Sequence, residues 1–307
     1  MNWDLDFCIS LDSPIMNASG VMDTSWDELK QLAVSNTGAV VMKTCTLEPR
    51  EGNPKPRYGR FACGSIQAMG LPNLGYKSYL EFAEKLKKLG KPVVASVFGF
   101  NTKEYEFLVS RFQDSSVDAI EVNLSCPNAD VGIPAYNLEL MDEILGAISD
   151  LGEKPIGLKL PPYLTLNDVD RMARVIERHS VSYLTLINSY PTGLVIGDDE
   201  RPIIVPRNGF GGLSGDCIKP IALANVAMFR KKLRDVYIIG VGGISSGKDV
   251  LDFFLVGADA VQIGTALKDE GISALQRIEK EFLTVLGDRR VSDIKGKALN
   301  MKYGQRI

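Results

Sequence analysis

The sequence predicts an α/β fold, a single closed (β/α)8 barrel of the TIM type, on three observations. Eight short apolar runs alternate with eight segments of helical periodicity. The runs are continuously apolar rather than alternating, as parallel strands covered on both faces require. The 307 residues show no break in composition, which suits eight βα units closed on themselves as one domain over 1–307. A doubly wound open sheet is the competing arrangement. It favours a GxGxxG turn after its first strand, and NASG (17–20) does not supply one.

The elements follow in order. DFCISLDSPIMNASG (6–20) predicts an N-terminal strand pair around a turn at Asp12-Ser13-Pro14, with IMNAS as the first barrel strand. Helical periodicity over 26–35 leads to a strand at 39–44. A helix at 76–89 leads to a strand at 92–100, and a helix at 102–112 to a strand at 119–125. Helices at 137–151 and 166–180 precede strands at 155–162 and 183–189. A helix at 220–233 and a strand at 237–244 follow, then a helix at 246–257, a strand at 260–267 and a last helix at 272–286. Two connections, 45–75 and 190–217, exceed the usual βα loop several-fold. Both follow strands, which predicts long loops over the C-terminal face, where barrel active sites sit. Their Gly, Pro and aromatic content reads as packed loop rather than solvated insertion.

Composition narrows the function. The hydrophobic share of 45% and charged share of 24% are those of an ordinary globular protein. A net charge of −3 gives no basic footprint for nucleic acid or an anionic membrane. Five cysteines without CxxC spacing point to a reducing compartment and away from a zinc or iron–sulfur site, so no metal is expected. No run of 18 apolar residues and no signal-like start are present, and the expected location is cytoplasmic.

The strand ends carry the chemistry. They bear Asn17 and Ser19, Lys43 and Thr44, Asn123 and Cys126, Lys159, Asn188 and Ser189, Gly242 and Gly243, and Gly264 and Thr265. In a barrel these converge on one face. AIEVNLSCPN (119–128) leaves an apolar strand with two carboxamides and a thiol, a setting for a planar hydrogen-bonding ligand. A thiol, with an ordinary pKa of about 8.5, can act as a base if its site helps it ionise. The last two strands end in GVGG (240–243) and IGT (263–265), where side-chain-free turns near helix starts suit a phosphate. The same glycines also serve tight strand-to-helix turns. Lys43 in VVMKT and Lys159 in GLKLP cannot reach solvent sideways from a barrel, so each calls for an anionic partner above it. Flavin mononucleotide (FMN) fits a phosphate at one side with lysines at the centre; a sugar-phosphate substrate fits the residues as well.

The motifs NASG (17–20), MKTCTLEPREGNPKPRYGR (42–60), MGLPNLGY (69–76), EVNLSCPN (121–128), GLKLPPY (157–163), INS (187–189), GFGGLSG (209–215) and GVGGI (240–244) are spread nearly end to end. Together they resemble the dihydroorotate dehydrogenases. Cys126 in the base position is similar to the soluble class 1 enzymes, and MGLPN with TLEPREGNP to the homodimeric, fumarate-using class 1A. The resemblance implies an FMN-dependent barrel that oxidises dihydroorotate to orotate in pyrimidine biosynthesis, with fumarate as acceptor, as a homodimer. It implies Cys126 as the catalytic base on a mobile loop over 125–136, with Lys43 between flavin and substrate carboxylate. Asn123, Asn128, Asn188 and Ser189 would hold the pyrimidine, together with Gln67 and the segment Met69, Gly70 and Leu71. Ala18, Ser19, Gly20, Lys43, Thr44, Asn123, Lys159 and Ile187 would contact the flavin, and Gly215, Gly242, Gly243, Gly264 and Thr265 its ribityl phosphate end.

The chain departs from the family pattern at several places. Gln67-Ala68 stands where Asn-Ser is usual before Met-Gly-Leu-Pro-Asn, and Gln adds a methylene in a close-packed site. Tyr190-Pro191 puts a bulky ring and a stiff residue beside the pocket. Thr44-Cys45 replaces Ser-Ser, and Ser214 replaces a Gly. Three other functions stay in play, the first of them on account of Gln67 and Tyr190-Pro191. One is an FMN oxidoreductase of the same scaffold with another substrate or acceptor. The others are a non-redox phosphate-binding barrel and a class 1B-type subunit that passes electrons to an iron–sulfur partner.

Overall fold

The computed structural model describes residues 7–126 and 132–300. In chain order its elements are β1 (Ile15–Asn17), α1 (Trp26–Ala33), β2 (Val40–Val41), β3 (Tyr58–Phe61), β4 (Gly64–Gln67), α2 (Tyr76–Lys87), β5 (Val93–Val97) and α3 (Thr102–Gln113). They continue with β6 (Ala119–Asn123), α4 (Leu138–Ile148), β7 (Ile156–Leu160), α5 (Leu166–Ile176), β8 (Tyr183–Leu186), β9 (Tyr190–Gly193) and β10 (Gly211–Ser214). The last are α6 (Lys219–Lys232), β11 (Tyr237–Val241), α7 (Gly247–Leu255), β12 (Ala260–Ile263), α8 (Thr265–Glu270), α9 (Ser273–Leu286) and α10 (Val291–Ile294).

Eight strands form one parallel sheet in the order β1-β12-β11-β8-β7-β6-β5-β2. Its two ends meet. The Asn17 carboxamide on β1 donates to the Val41 carbonyl at 2.7 Å and accepts from the Val41 amide at 2.9 Å, so a side chain supplies the ladder that closes the barrel. The helices pack outside through amphipathic faces, and polar side chains fix their starts. Ser25 and Glu28 make a reciprocal capping box on α1, and Asn101, Asn137 and Thr165 cap α3, α4 and α5.

Inward-facing residues sit in layers. The lower layer is apolar: Met16, Val41, Val94, Ala119, Tyr183, Ile239 and Ala260 form one buried cluster. Gly157 is required there, because a methyl group on it would lie 2.1 Å from the Tyr183 ring. The next layer towards the C-terminal face is polar and holds Glu121, Lys159, Thr185 and Gln262.

Three expectations change. Residues 7–14 form no strand, so the N-terminal strand pair is reduced to β1; the segment instead packs against the lower layer, with the Phe7 ring 5.8 Å from Tyr183 and 5.1 Å from Tyr237. The two long connections are not structureless. β3 and β4 from the first pair with β10 and β9 from the second in a four-stranded antiparallel sheet, ordered β3-β4-β10-β9. Finally, the run 260–267 is strand only to Ile263; Thr265 already begins α8. Among the described residues, no helix is long and apolar enough to cross a membrane.

Candidate active site

A cavity of about 1060 Å3 opens at the C-terminal ends of the barrel strands, with the small antiparallel sheet on one side. Ala18, Ser19, Gly20, Lys43, Thr44 and Gln67 line it, as do Met69, Leu71, Asn123, Cys126 and Lys159. So do Ile187, Asn188, Ser189, Gly215, Gly242, Gly243, Gly264 and Thr265. Gly70 does not: it packs against Asn53, where an added methyl group would meet the Asn53 amide nitrogen at 2.6 Å, and so serves the loop rather than the cavity wall. Asn128 and the middle of the 125–136 loop lie outside the described residues. Of the two departures at 190–191, Pro191 faces the cavity whereas the Tyr190 ring packs against the core.

The cavity floor is the polar layer. Lys159, 4% exposed, lies 3.7 Å from Glu121, which is fully buried, and donates to Gln262 Oε1 at 3.2 Å. Thr185 and Gln262 donate to the other Glu121 oxygen at 2.8 and 2.9 Å. A buried ammonium survives when a carboxylate and hydrogen bonds compensate it. Glu121 stands below as the carboxylate partner, and the Lys159 Nζ sits at the cavity floor.

Lys43 approaches from β2's end. Its Nζ would lie 3.5 Å from a methyl group placed on Gly20, whose φ of +106° also favours glycine. Gly20 in turn donates its amide to Asp23 Oδ2 at 2.6 Å, while Asp23 Oδ1 is buried without a hydrogen bond. Burial pushes the Asp23 carboxyl up to about 6 against the opposing pull of Lys43.

Carboxamides and hydroxyls form a chain along the wall. Asn188 Nδ2 donates to Ser125 Oγ at 2.5 Å, Ser125 Oγ donates to Asn123 Oδ1 at 2.9 Å, and Asn123 Nδ2 donates to Thr44 Oγ1 at 3.3 Å. The Asn188 oxygen accepts from the Ser189 amide at 2.8 Å. Opposite, Gln67 Oε1 accepts from the Met69 amide at 3.1 Å, and its Nε2 donates to Ser189 Oγ at 3.2 Å. Each of these carboxamides keeps an N–H for a ligand; the Asn123 oxygen accepts twice from Ser125, whereas the Asn188 and Gln67 oxygens accept once each and keep a lone pair.

The glycine turns form a side-chain-poor cradle at the far end. Gly215, Gly242 and Gly243 all have positive φ. A methyl group on Gly243 would come within 2.9 Å of the Lys219 amide nitrogen, and one on Gly215 within 2.7 Å of Gly64 Cα. A bulky anionic end group of a planar cofactor fits this cradle, with the lysines placed towards the ring end. Just ahead of α7, the Ser245 and Ser246 amides donate to the Asp249 carboxylate at 3.0 and 2.8 Å, so these two are taken within the protein.

Cys126 is 5% exposed at the cavity wall. Cys45 is fully buried, and burial pushes its thiol well up, so the second cysteine of this region is inert packing. His179, the one histidine of the chain, lies outside the cavity lining, its Nε2 2.7 Å from an Asp142 oxygen. Sequence reading gave no role to Glu121, Asp23 or Gln262. A lone Glu in an apolar strand was the one visible signal.

Comparison with known proteins agrees with this geometry. The family model described as "Dihydroorotate dehydrogenase" matches residues 6–286. A Streptococcus pyogenes (serotype M18) protein named "Putative dihydroorotate dehydrogenase A (fumarate)" is 42% identical over 303 residues, covering 96% of each chain. A protein of the same name from Streptococcus agalactiae (serotype Ia) is 43% identical over 286 residues, covering 91% of this chain and 92% of its own.

Proposed function

The chain belongs to the dihydroorotate dehydrogenase family, and we propose that it oxidises dihydroorotate to orotate in pyrimidine synthesis, with FMN as cofactor and fumarate as acceptor. The observation that carries this reading is a wall of carboxamides beside two lysines. Gln67, Asn123 and Asn188 each keep an N–H, the Gln67 and Asn188 oxygens each keep a lone pair, and Lys43 and Lys159 line the same cavity. Dihydroorotate carries two ring carbonyls and a carboxylate that call for donors, and two ring N–H groups that call for acceptors, and carboxamides with lysines supply both.

Enzymes of this family work with a bound flavin. Such a flavin, once bound, would supply a two-electron acceptor for the hydride that leaves substrate C6. Cys126 removes the C5 proton, which leaves the new C5–C6 double bond of orotate. Lys43 binds the substrate carboxylate, and Lys159, paired with Glu121 below it, would stand at the ring edge that gains electron density. Asn123, Asn188, Ser189, Gln67, Met69 and Leu71 orient the pyrimidine, with Asn128 assigned by resemblance alone. Ala18, Ser19, Gly20, Thr44 and Ile187 shape the ring site, and Gly215, Gly242, Gly243, Gly264 and Thr265 the phosphate cradle. Two electrons and two protons delivered to fumarate give succinate and balance the cycle.

We read residues 1–307 as one such domain, cytoplasmic and homodimeric. The exposed apolar side chains Leu194, Ile196, Val205 and Phe210 between β9 and β10 are surface that a second copy would cover. The test is anaerobic turnover with dihydroorotate and fumarate, alongside the mass of the cofactor released on denaturation. Orotate and succinate in equal amounts with FMN released support the reading; no orotate refutes it. Gln67 and Pro191 at the wall favour one second reading, an FMN oxidoreductase of the same scaffold for another substrate, and a Gln67→Asn variant that turns over dihydroorotate faster would favour it.

A further inference from the structure

Two departures from the family pattern meet on one oxygen. Ser214 Oγ donates to Ser189 Oγ at 3.0 Å, and Gln67 Nε2 donates to the same atom at 3.2 Å. A hydroxyl oxygen has two lone pairs and one proton. With both lone pairs filled, the Ser189 hydroxyl has only its proton left, and no acceptor for that proton is found among the described residues. Ser189 faces the cavity. The backbone enforces the arrangement: a methyl group on Gly212 would lie 2.8 Å from Ser189 Cβ and 3.3 Å from Gln67 Nε2, so the two side chains are held together against a strand with no room to yield.

We propose that Ser214 is a positioning residue that fixes the Ser189 hydroxyl as an obligate donor to the ligand, and thereby sets the preference of this site for carbonyl or carboxylate oxygen over an amino group. Ser214 completes what Gln67 begins. Without the second hydroxyl, Ser189 regains a lone pair and can turn to accept as readily as donate. The inference rests on the proposed pyrimidine-binding role of the cavity and goes beyond it, since it assigns selectivity to a residue that needs no contact with the ligand.

The test uses the flavin-loaded protein and measures equilibrium binding by titration calorimetry. The probes are orotate, its 4-amino analogue (6-carboxycytosine) and its carboxamide (orotamide). The wild-type protein is expected to favour orotate over both analogues. Ser214→Ala is expected to lose about three- to tenfold of that preference against at least one analogue, the loss of one oriented neutral hydrogen bond. Ser214→Thr, which keeps the hydroxyl, restores it. In turnover, Ser214→Ala raises KM for dihydroorotate and leaves kcat unchanged, the pattern of lost uniform binding. Unchanged preference against both analogues in a Ser214→Ala protein that melts at the wild-type temperature overturns the inference while the pyrimidine reading stands. A wild-type protein that binds none of the three overturns both.

Discussion

Asn17 and Val41 complete the barrel. The Asn17 carboxamide, fully buried, stands in for a strand residue by matching both the carbonyl and the amide of Val41 at 2.7 and 2.9 Å. β2 is only two residues long and cannot close the sheet by backbone pairing with β1. Replacing Asn17 by Leu leaves two buried backbone groups unsatisfied. A loss of about 2–4 kcal/mol is expected, read from the denaturant midpoint. A variant as stable as wild type would mean the barrel closes by other contacts.

Asp23 sets a pH signature. Its folded-state pKa is raised to about 6, above the ordinary carboxyl value, so the folded protein holds this proton more tightly than the unfolded chain. The charged carboxylate therefore costs stability above about pH 6, and stability is regained as pH falls from there towards 4. Asp23→Asn is expected to stabilise by on the order of 2 kcal/mol at pH 8 and by almost nothing at pH 4. Melting temperatures of the two proteins across that range check this. A constant difference at all pH values contradicts it.

Lys159 and Glu121 have to be separated from folding before either is given a chemical role. Lys159→Met alone strands a buried carboxylate and is expected to cost about 3–5 kcal/mol. Adding Glu121→Gln should return most of that stability, since Thr185 and Gln262 can still donate to the amide oxygen. Flavin reduction should stay roughly a hundredfold slow in the double variant. Recovery of both together would make Lys159 structural.

Cys126→Ser tests the base. A hydroxyl ionises far less readily than a thiol, so flavin reduction at neutral pH should slow by about 10²–10⁴-fold with cofactor content unchanged. Stopped-flow absorbance reads the rate, and an unchanged rate removes Cys126 from the mechanism.

The barrel was legible because parallel strands covered on both faces leave continuous apolar runs such as VVASV and AIEVN, and because eight of them alternate with helices. The strand ends were legible for the same reason: once the fold is a barrel, Lys43, Asn123, Lys159 and Asn188 must converge. The small antiparallel sheet was not, because YGRF, GSIQ, YPTG and GGLS are short and carry glycine, and the β4–β10 pairing that joins the two halves spans more than a hundred residues. Nor was Gly70's place behind Asn53, since sequence adjacency to Met69 and Leu71 says nothing about which way a loop faces. Asp23 escaped notice because an Asp before a helix ordinarily reads as a solvated cap. The engagement of the Ser245 and Ser246 amides by Asp249 was readable in SSGKD, where Ser246 and Asp249 have capping-box spacing.

The central claim is that this cavity takes electrons from dihydroorotate. The direct measurement is anaerobic: the purified protein with its flavin spectrum recorded, dihydroorotate added, and the flavin absorbance followed. Rapid bleaching, with one orotate formed per flavin and colour restored by fumarate, is the predicted result. A protein that keeps its yellow colour under dihydroorotate would contradict the account, and the Gln67 side of the wall would then be reading a different substrate.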